Sequence, residues 1–287
     1  MFRYYIGDII VLHRVVEKYE SCAQRNLSLE ISISDLQALI KEYRNTGYTF
    51  VSLDDFYKEK RKFCSRKRLV TITMDDGYKD NFLKALPLFN SERIPFTVFV
   101  SVDIIEHTAA LWWYVLEDIL WHNKTITLDN HVYSLESNEE KNNAFNTIHA
   151  QLSKMDTTAT INWFKKNDIN WDAINNKYCR DLCLTWEELR LLAANPLCNI
   201  GSHTMTHARL PIQDRNDRLY ELNKSKEILE QKLNRMIYHI SYPYGACSNE
   251  VIQDVQKAGY LLGLLSNGGS VRKDQSLFQL TRTKWQQ

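Results

Sequence analysis

The sequence predicts an α/β protein built on a parallel sheet or barrel, and three observations predict it. Short runs of β-forming residues alternate with helical patterns along most of the 287-residue chain, the rhythm of βα units. Several runs are apolar at consecutive positions, as strands covered on both faces are. Four runs deliver a polar motif at their C-terminal ends, where the loops of parallel α/β folds converge on one face.

The candidate strands are residues 9–12, 49–52, 69–74, 96–101, 198–202, 237–242 and 261–265. The run at 69–74, Leu-Val-Thr-Ile-Thr-Met, looks built for burial on both sides. Helical patterns fill the intervals. Residues 34–46 open on Ser34 as N-cap and stop at Gly47. Residues 185–194 start from Thr185 with Glu188 three positions on, a capping-box spacing. Residues 214–234 form the longest periodic segment, and 248–258 end at Gly259. The stretch from 107 to 180 breaks the rhythm, being polar and rich in Asn and Lys, with Trp112, Trp113, Trp121, Trp163 and Trp171 among its aromatics. It reads as a mostly helical insertion within a single domain spanning residues 1–287.

Composition narrows the function classes. The chain is 44% hydrophobic and 25% charged, an ordinary globular mixture, and its net charge of +1 gives no reason to expect nucleic acid as partner. Six cysteines (Cys22, Cys64, Cys179, Cys183, Cys198, Cys247) lack a paired framework and read as reduced and buried. Asp8 interrupts the short apolar core near the start, so no secretory pattern is legible, and no apolar run approaches the roughly 18 residues of a membrane span. The expectation is a cytoplasmic protein. The basic cluster at 58–68 reads either as a solvated loop or as a patch for a phosphate-bearing substrate or the inner membrane surface.

The chemistry gathers at strand ends. Residues 9–12 run into His13, and 69–74 into Asp75, Asp76 and Gly77; 198–202 lead to His203, with His207 four residues on, and 237–242 to Pro243, Tyr244 and Gly245. Two adjacent carboxylates repel each other unless a cation offsets them. Two histidines and one carboxylate make a set that suits zinc, iron or another divalent metal with open positions. The second carboxylate is then free to act as base toward water, whose pKa such a cation lowers toward about 7. One aspartate serves the metal and one the proton. Each motif alone is an ordinary turn or a structural histidine; their joint placement is the signal.

"TMDDG" (73–77), "SHTMTH" (202–207) and "YPYG" (242–245) resemble three motifs of the polysaccharide deacetylase family, the NodB-homology carbohydrate esterases. The resemblance covers about residues 5–105 and 182–287. It implies a distorted (β/α) barrel of about seven units and a divalent metal, zinc first, with cobalt, nickel, iron or manganese as alternatives. The implied substrate is an N-acylated sugar in surface-polysaccharide synthesis. Carried over by residue, it makes Asp75 the base and Asp76, His203 and His207 the metal ligands. The Tyr244 backbone N–H becomes the oxyanion donor, with Tyr242, Pro243 and Gly245 on the substrate side. The family's third motif commonly begins with an arginine that steers the base; here Ser241 or Tyr242 stands there. No histidine follows near the C-terminus to act as acid. "VLHRV" (11–15) resembles the N-terminal motif of exopolysaccharide-pathway members, which assigns the acid role to His13. Arg282 is the substitute for steering Asp75 and joins the substrate-side set.

Alternatives within the resemblance are removal of a formyl or O-acetyl group, a lipid- or nucleotide-linked sugar, and a non-catalytic carbohydrate-binding member. The tryptophans of the insertion either bury its own helices or form a stacking platform for a sugar ring. His107, His122, His131, His149 and His239 read as structural or exposed.

Overall fold

A computed structural model describes residues 5–19, 25–62 and 68–284. Seven strands close into a parallel barrel in chain order. They are β1 (Tyr5–Leu12), β2 (Leu69–Met74), β3 (Phe96–Val100), β4 (Cys198–Ser202), β5 (His239–Ser241), β6 (Leu262–Gly268) and β7 (Leu280–Lys284). Each strand pairs parallel with the next, and β1 lies between β7 and β2, so the ring has no free edge. The two-residue strands Thr49–Phe50 and Val271–Arg272 pair onto the starts of β2 and β1. β1 and β2 approach closely through Gly7, where a Cβ would fall 1.9 Å from Leu69 O.

The strand residues sort by the two-residue period. Ile10, Ile72, Val98, Ile200 and Ile240 belong to the core between barrel and helices. Ile9, Leu69, Phe99, Leu264 and Leu280 form a separate cluster with Leu53 and Phe56 of the helix Leu53–Arg61. Burying each such side chain stabilises by about 1.5–3 kcal/mol.

Local sequence explains the helix ends, with one shift. The helix Ile33–Asn45 is capped by Ser32, whose Oγ accepts from Asp35 N at 3.1 Å, and not by Ser34. Ser32 is the residue in extended backbone there, the conformation an N-cap needs. The helix Trp186–Ala194 starts from Thr185 with both halves of the capping box, Glu188 N to Thr185 Oγ1 at 3.2 Å and Thr185 N to Glu188 Oε2 at 2.8 Å.

Between β3 and β4 the insertion folds as helices Trp112–Trp121, Asn138–Leu152, Thr157–Lys166 and Trp171–Leu182, with a hairpin of Thr125–Leu128 and His131–Ser134. The hairpin escaped the sequence reading. Asp129 and Asn130, at φ 50° and 62°, form the left-handed pair its two-residue turn requires. Trp112, Trp113, Phe145, Phe164 and Trp171 pack with Tyr78 and Ile104 of the barrel loops as one buried cluster. Lys79 N to Leu182 O (2.7 Å) and Leu184 N to Gly77 O (3.0 Å) tie the end of the insertion to the loop after β2. The insertion therefore sits over the C-terminal ends of the strands.

Cys22, Cys64 and positions 63–67 of the basic cluster lie outside the described residues. Within that cluster Lys60 is buried and donates to the carbonyls of Arg272, Lys273 and Gln275 at 3.3, 3.1 and 2.7 Å. It is a clamp between segments, not part of a solvated loop or surface patch. Cys179, Cys183, Cys198 and Cys247 are free thiols. No helix among the described residues is long and apolar enough to cross a membrane.

Candidate active site

The loops after β1, β2, β4 and β5 open into one cleft of about 1000 Å³, lined by His13, Asp75, Asp76, His203, His207 and Tyr244. Residues up to 231 positions apart thus share a cavity because each follows a strand whose C-terminal end points to the same face.

Asp76, His203 and His207 converge. Asp76 Oδ1 stands 3.3 Å from His203 Nε2 and 3.4 Å from His207 Nε2. The His-x-x-x-His segment is an irregular loop and not a helical turn. Asp76, Thr204, His207 and Tyr244 all take left-handed backbone, at φ 76°, 70°, 57° and 60°. Each such residue costs on the order of 1–3 kcal/mol and persists only where neighbours enforce it. Enforcement is visible: His203 N bonds to Val100 O at 2.8 Å, and the buried Glu221 carboxylate accepts from Met205 N, Thr206 N and Thr206 Oγ1 at 2.9, 3.0 and 2.7 Å.

The trio fits a divalent cation. Ligands around a tetrahedral ion with bonds of about 2.0–2.1 Å stand roughly 3.3–3.4 Å apart, the spacing Asp76 Oδ1 keeps from each imidazole, and all three ligand atoms lie within 4.8 Å of one another. Asp76 Oδ1 is buried with no hydrogen-bond partner. His203 Nδ1–H donates to Ser241 O at 2.8 Å, which turns the Nε2 lone pair toward Asp76. Burial pushes His207 down to about 4, leaving a neutral imidazole. Burial raises the Asp76 carboxyl, but His203, His207 and His13 outweigh it and hold it well below the carboxylate range.

Asp75 has a different environment. Arg282 grips it with two bonds, Nη1 to Oδ1 at 2.8 Å and Nη2 to Oδ2 at 2.6 Å. Ser241 Oγ donates to Asp75 Oδ2 at 3.1 Å and accepts from Arg282 Nη2 at 2.8 Å. Thr73 Oγ1 and Leu265 O take further guanidinium N–H groups. Burial raises the Asp75 carboxyl, and Arg282 with His203 more than reverses that, leaving it below its ordinary value.

The remaining residues of the substrate-side set lie at or behind the cleft wall. Arg282 has no exposed surface and contacts Asp75, not the cleft mouth. Tyr242 lines the cleft, but its ring is buried and its hydroxyl donates to Phe278 O at 3.0 Å. Pro243 is buried, and Gly245 (φ 66°) is demanded by the turn, since a Cβ would meet Ser266 Oγ at 2.4 Å.

His13 lines the same cleft as the two aspartates. Burial lowers its pKa, while Asp76 and Asp75 pull upward without winning. Its backbone is held by Asn81 Nδ2 on His13 O at 2.8 Å, next to an Arg14 bridge to Asp80 and Glu30 at 2.9 and 2.8 Å. Tyr244, on its left-handed turn, sets its ring 4.8 Å from that of His207.

The insertion supplies part of the cleft wall, including one residue, His149, that sequence reasoning assigned no part in the site. Trp113 packs 5.5 Å from the His207 ring, and Trp112 and His149 line the same cleft with rings 4.9 Å apart. Trp112 and Trp113 are buried among the insertion's own helices and also line the cleft. His149 was grouped with the structural histidines because nothing in its spacing connects it to the strand-end motifs. His107, His122 and His239 instead contact Leu184 O, Asp118 and Asp54, and His131 packs on Tyr133.

Comparison with known proteins agrees with this architecture. Residues 62–263 match the family model described as polysaccharide deacetylase. The Bacillus subtilis protein YxkH, named for the same family, is 28% identical over 101 residues. That match spans 35% of this chain and only 36% of the relative. The fold resembles the Streptococcus pyogenes deacetylase PplD, solved with acetate, at a TM-score of 0.64 and 15% identity over 99% of this chain and 93% of that one. IcaB from Ammonifex degensii aligns at 0.63 and 15% over 99% and 93%. The deacetylase domain of Bordetella bronchiseptica BpsB aligns at 0.59 and 15% over 97% and 95%. With its model match reaching from before β2 into β6, the chain belongs to the polysaccharide deacetylase family.

Proposed function

We propose that the protein is a metal-dependent deacetylase that hydrolyses the N-acetyl group of an amino sugar in surface-polysaccharide synthesis, releasing acetate. One observation carries the reading: two adjacent aspartates are sorted into two environments, Asp76 against a pair of imidazoles and Asp75 against a guanidinium. A divalent ion held by Asp76, His203 and His207, zinc being the simplest fit to two imidazoles and one carboxylate, would polarise the acyl carbonyl and acidify water beside it.

The remaining work falls to the chain's own groups. Asp75, oriented by Arg282, accepts a proton from the water whose oxygen bonds to the acyl carbon. The Tyr244 backbone N–H donates to the oxygen that becomes negative, an interaction worth about 3 kcal/mol when well aimed. The C–N bond then breaks and the nitrogen takes a proton from His13 in its imidazolium form, leaving acetate and a free amine; the proton first taken by Asp75 returns to the imidazole through solvent, which restores both groups. Its depressed pKa makes the His13 imidazolium a strong acid once formed.

Acetate release from N-acetylated sugars, measured with and without a chelator, tests the reading. Release that stops on chelation and returns with added zinc is the expected result. Equal release in chelator overturns the metal requirement, and no release from any N-acetylated sugar overturns the activity.

A further inference from the structure

We propose that the sugar taken by this site carries a negative charge beside its acetamido group, as a phosphate ester or a carboxylate, and that Arg209 reads it. The inference rests on the deacetylase reading for the acyl group and on charge placement for the rest.

Three acids line the cleft, and each is engaged. Asp75 is gripped by Arg282, Glu30 pairs with Arg14 at 2.8 Å, and Asp76 faces the two imidazoles. The lining cations are otherwise: among the described residues, neither Arg209 nor Lys284 pairs with a carboxylate. Arg209 also lines a narrower adjoining pocket with Ser153, Thr157 and Thr206. The acid on that wall, Asp156, serves as a helix cap, accepting from Ala159 N at 2.7 Å.

Arg209 is held in place without being neutralised. Its guanidinium lies over the Tyr244 ring, 4.5 Å from the centroid, and that ring is 4.8 Å from the ring of His207. Stacking on an aromatic face occupies the face of a guanidinium and leaves its in-plane N–H groups available. Arg209 Nε is buried and has no acceptor. A buried charged donor without an acceptor is costly, and an oxyacid group on the ligand would satisfy it. An edge contact of 4.8 Å and a cation–π contact of 4.5 Å separate Arg209 from the His207 ring, about the reach of one sugar residue. An acetamido group at the trio would bring the neighbouring substituent to Arg209.

The test compares three probes: the methyl glycoside of N-acetylglucosamine, N-acetylglucosamine 1-phosphate, and N-acetylglucosamine linked to glucuronate. Acetate release should favour one charged probe at least tenfold in kcat/KM, and the favoured probe distinguishes phosphate from carboxylate. The preference should shrink as salt is raised. Arg209→Gln should collapse the charged-to-neutral ratio about tenfold or more, and Arg209→Lys should retain part of it. Lys284→Gln, read by the same ratio, serves if the Arg209 variants do not fold. A parallel tryptophan-fluorescence titration with glucosamine 1-phosphate and with glucosamine reads charge recognition without chemistry. No acetate from any probe, with the binding preference intact, would sink the deacetylase reading alone. Equal binding and equal turnover of charged and neutral probes, or an Arg209→Gln variant that shifts both alike, would overturn this proposal.

Discussion

Arg282 and Asp75 meet as a fork, two bonds of 2.8 and 2.6 Å between residues 207 positions apart, with the side chains 0% and 3% exposed. A planar guanidinium on both carboxylate oxygens sets orientation as well as charge. The chain lacks an arginine at the start of its Tyr-Pro-Tyr-Gly motif, and the group reaching Asp75 comes from β7 on the far side of β1. Ser241, at the motif position, contacts both partners.

Breaking one side of this pair strands a buried charge. Arg282→Met should destabilise by about 3–5 kcal/mol in urea unfolding, and adding Asp75→Asn should recover part of the loss. A double variant no more stable than the single one would show that the pair is not energetically coupled.

Asp75→Asn alone keeps the shape and removes the base. Bound metal per chain should stay as in the parent, while kcat falls about 10²- to 10⁴-fold. Turnover within a few-fold of the parent would remove Asp75 from the chemistry.

Glu221 supports the loop that carries His207 without touching the trio. Glu221→Ala leaves Met205 N and Thr206 N without their acceptor. Metal affinity, read by competition with a chromogenic chelator, should weaken about ten- to a hundredfold. An unchanged affinity would mean the loop holds its shape without the carboxylate.

Asp103 gives a pH-dependent prediction. Burial, with Glu221 and Glu106 nearby, pushes its carboxyl up to about 6 from the ordinary 3.8. A carboxyl raised in the folded state binds its proton more tightly there, so ionisation costs stability. The cost is absent below about pH 4 and complete above about pH 6. Asp103→Asn should therefore stabilise the protein at pH 7.5 by about 1 kcal/mol, after allowance for solvent screening of a partly exposed group, and leave it unchanged near pH 4. Thermal melts at the two pH values decide, and an equal shift at both would reject the assignment.

The barrel was legible where burial on both faces forced continuous apolar runs. β2 and β4 begin and end where the sequence placed them, at 69–74 and 198–202. β7 was not legible because "LTRTK" alternates, and of its two buried members, Leu280 and Arg282, one is an arginine, which no hydrophobic pattern marks. The strand-end motifs pointed to one cavity because the period and direction of parallel βα units are readable. The walls were less readable: His149 and Arg209 reach the cleft through tertiary packing that no local spacing encodes, and for Trp113 the sequence left burial and a place at the site as alternatives. Ser34 lost the cap to Ser32 through backbone conformation, which sequence leaves undecided between two serines two apart.

Metal content of the purified protein, read alongside His203→Ala, decides whether Asp76, His203 and His207 hold an ion. The parent should carry about one divalent ion per chain, with zinc the leading element, and the variant should lose most of it together with acetate release. A folded His203→Ala protein that keeps the parent's metal content would contradict that assignment.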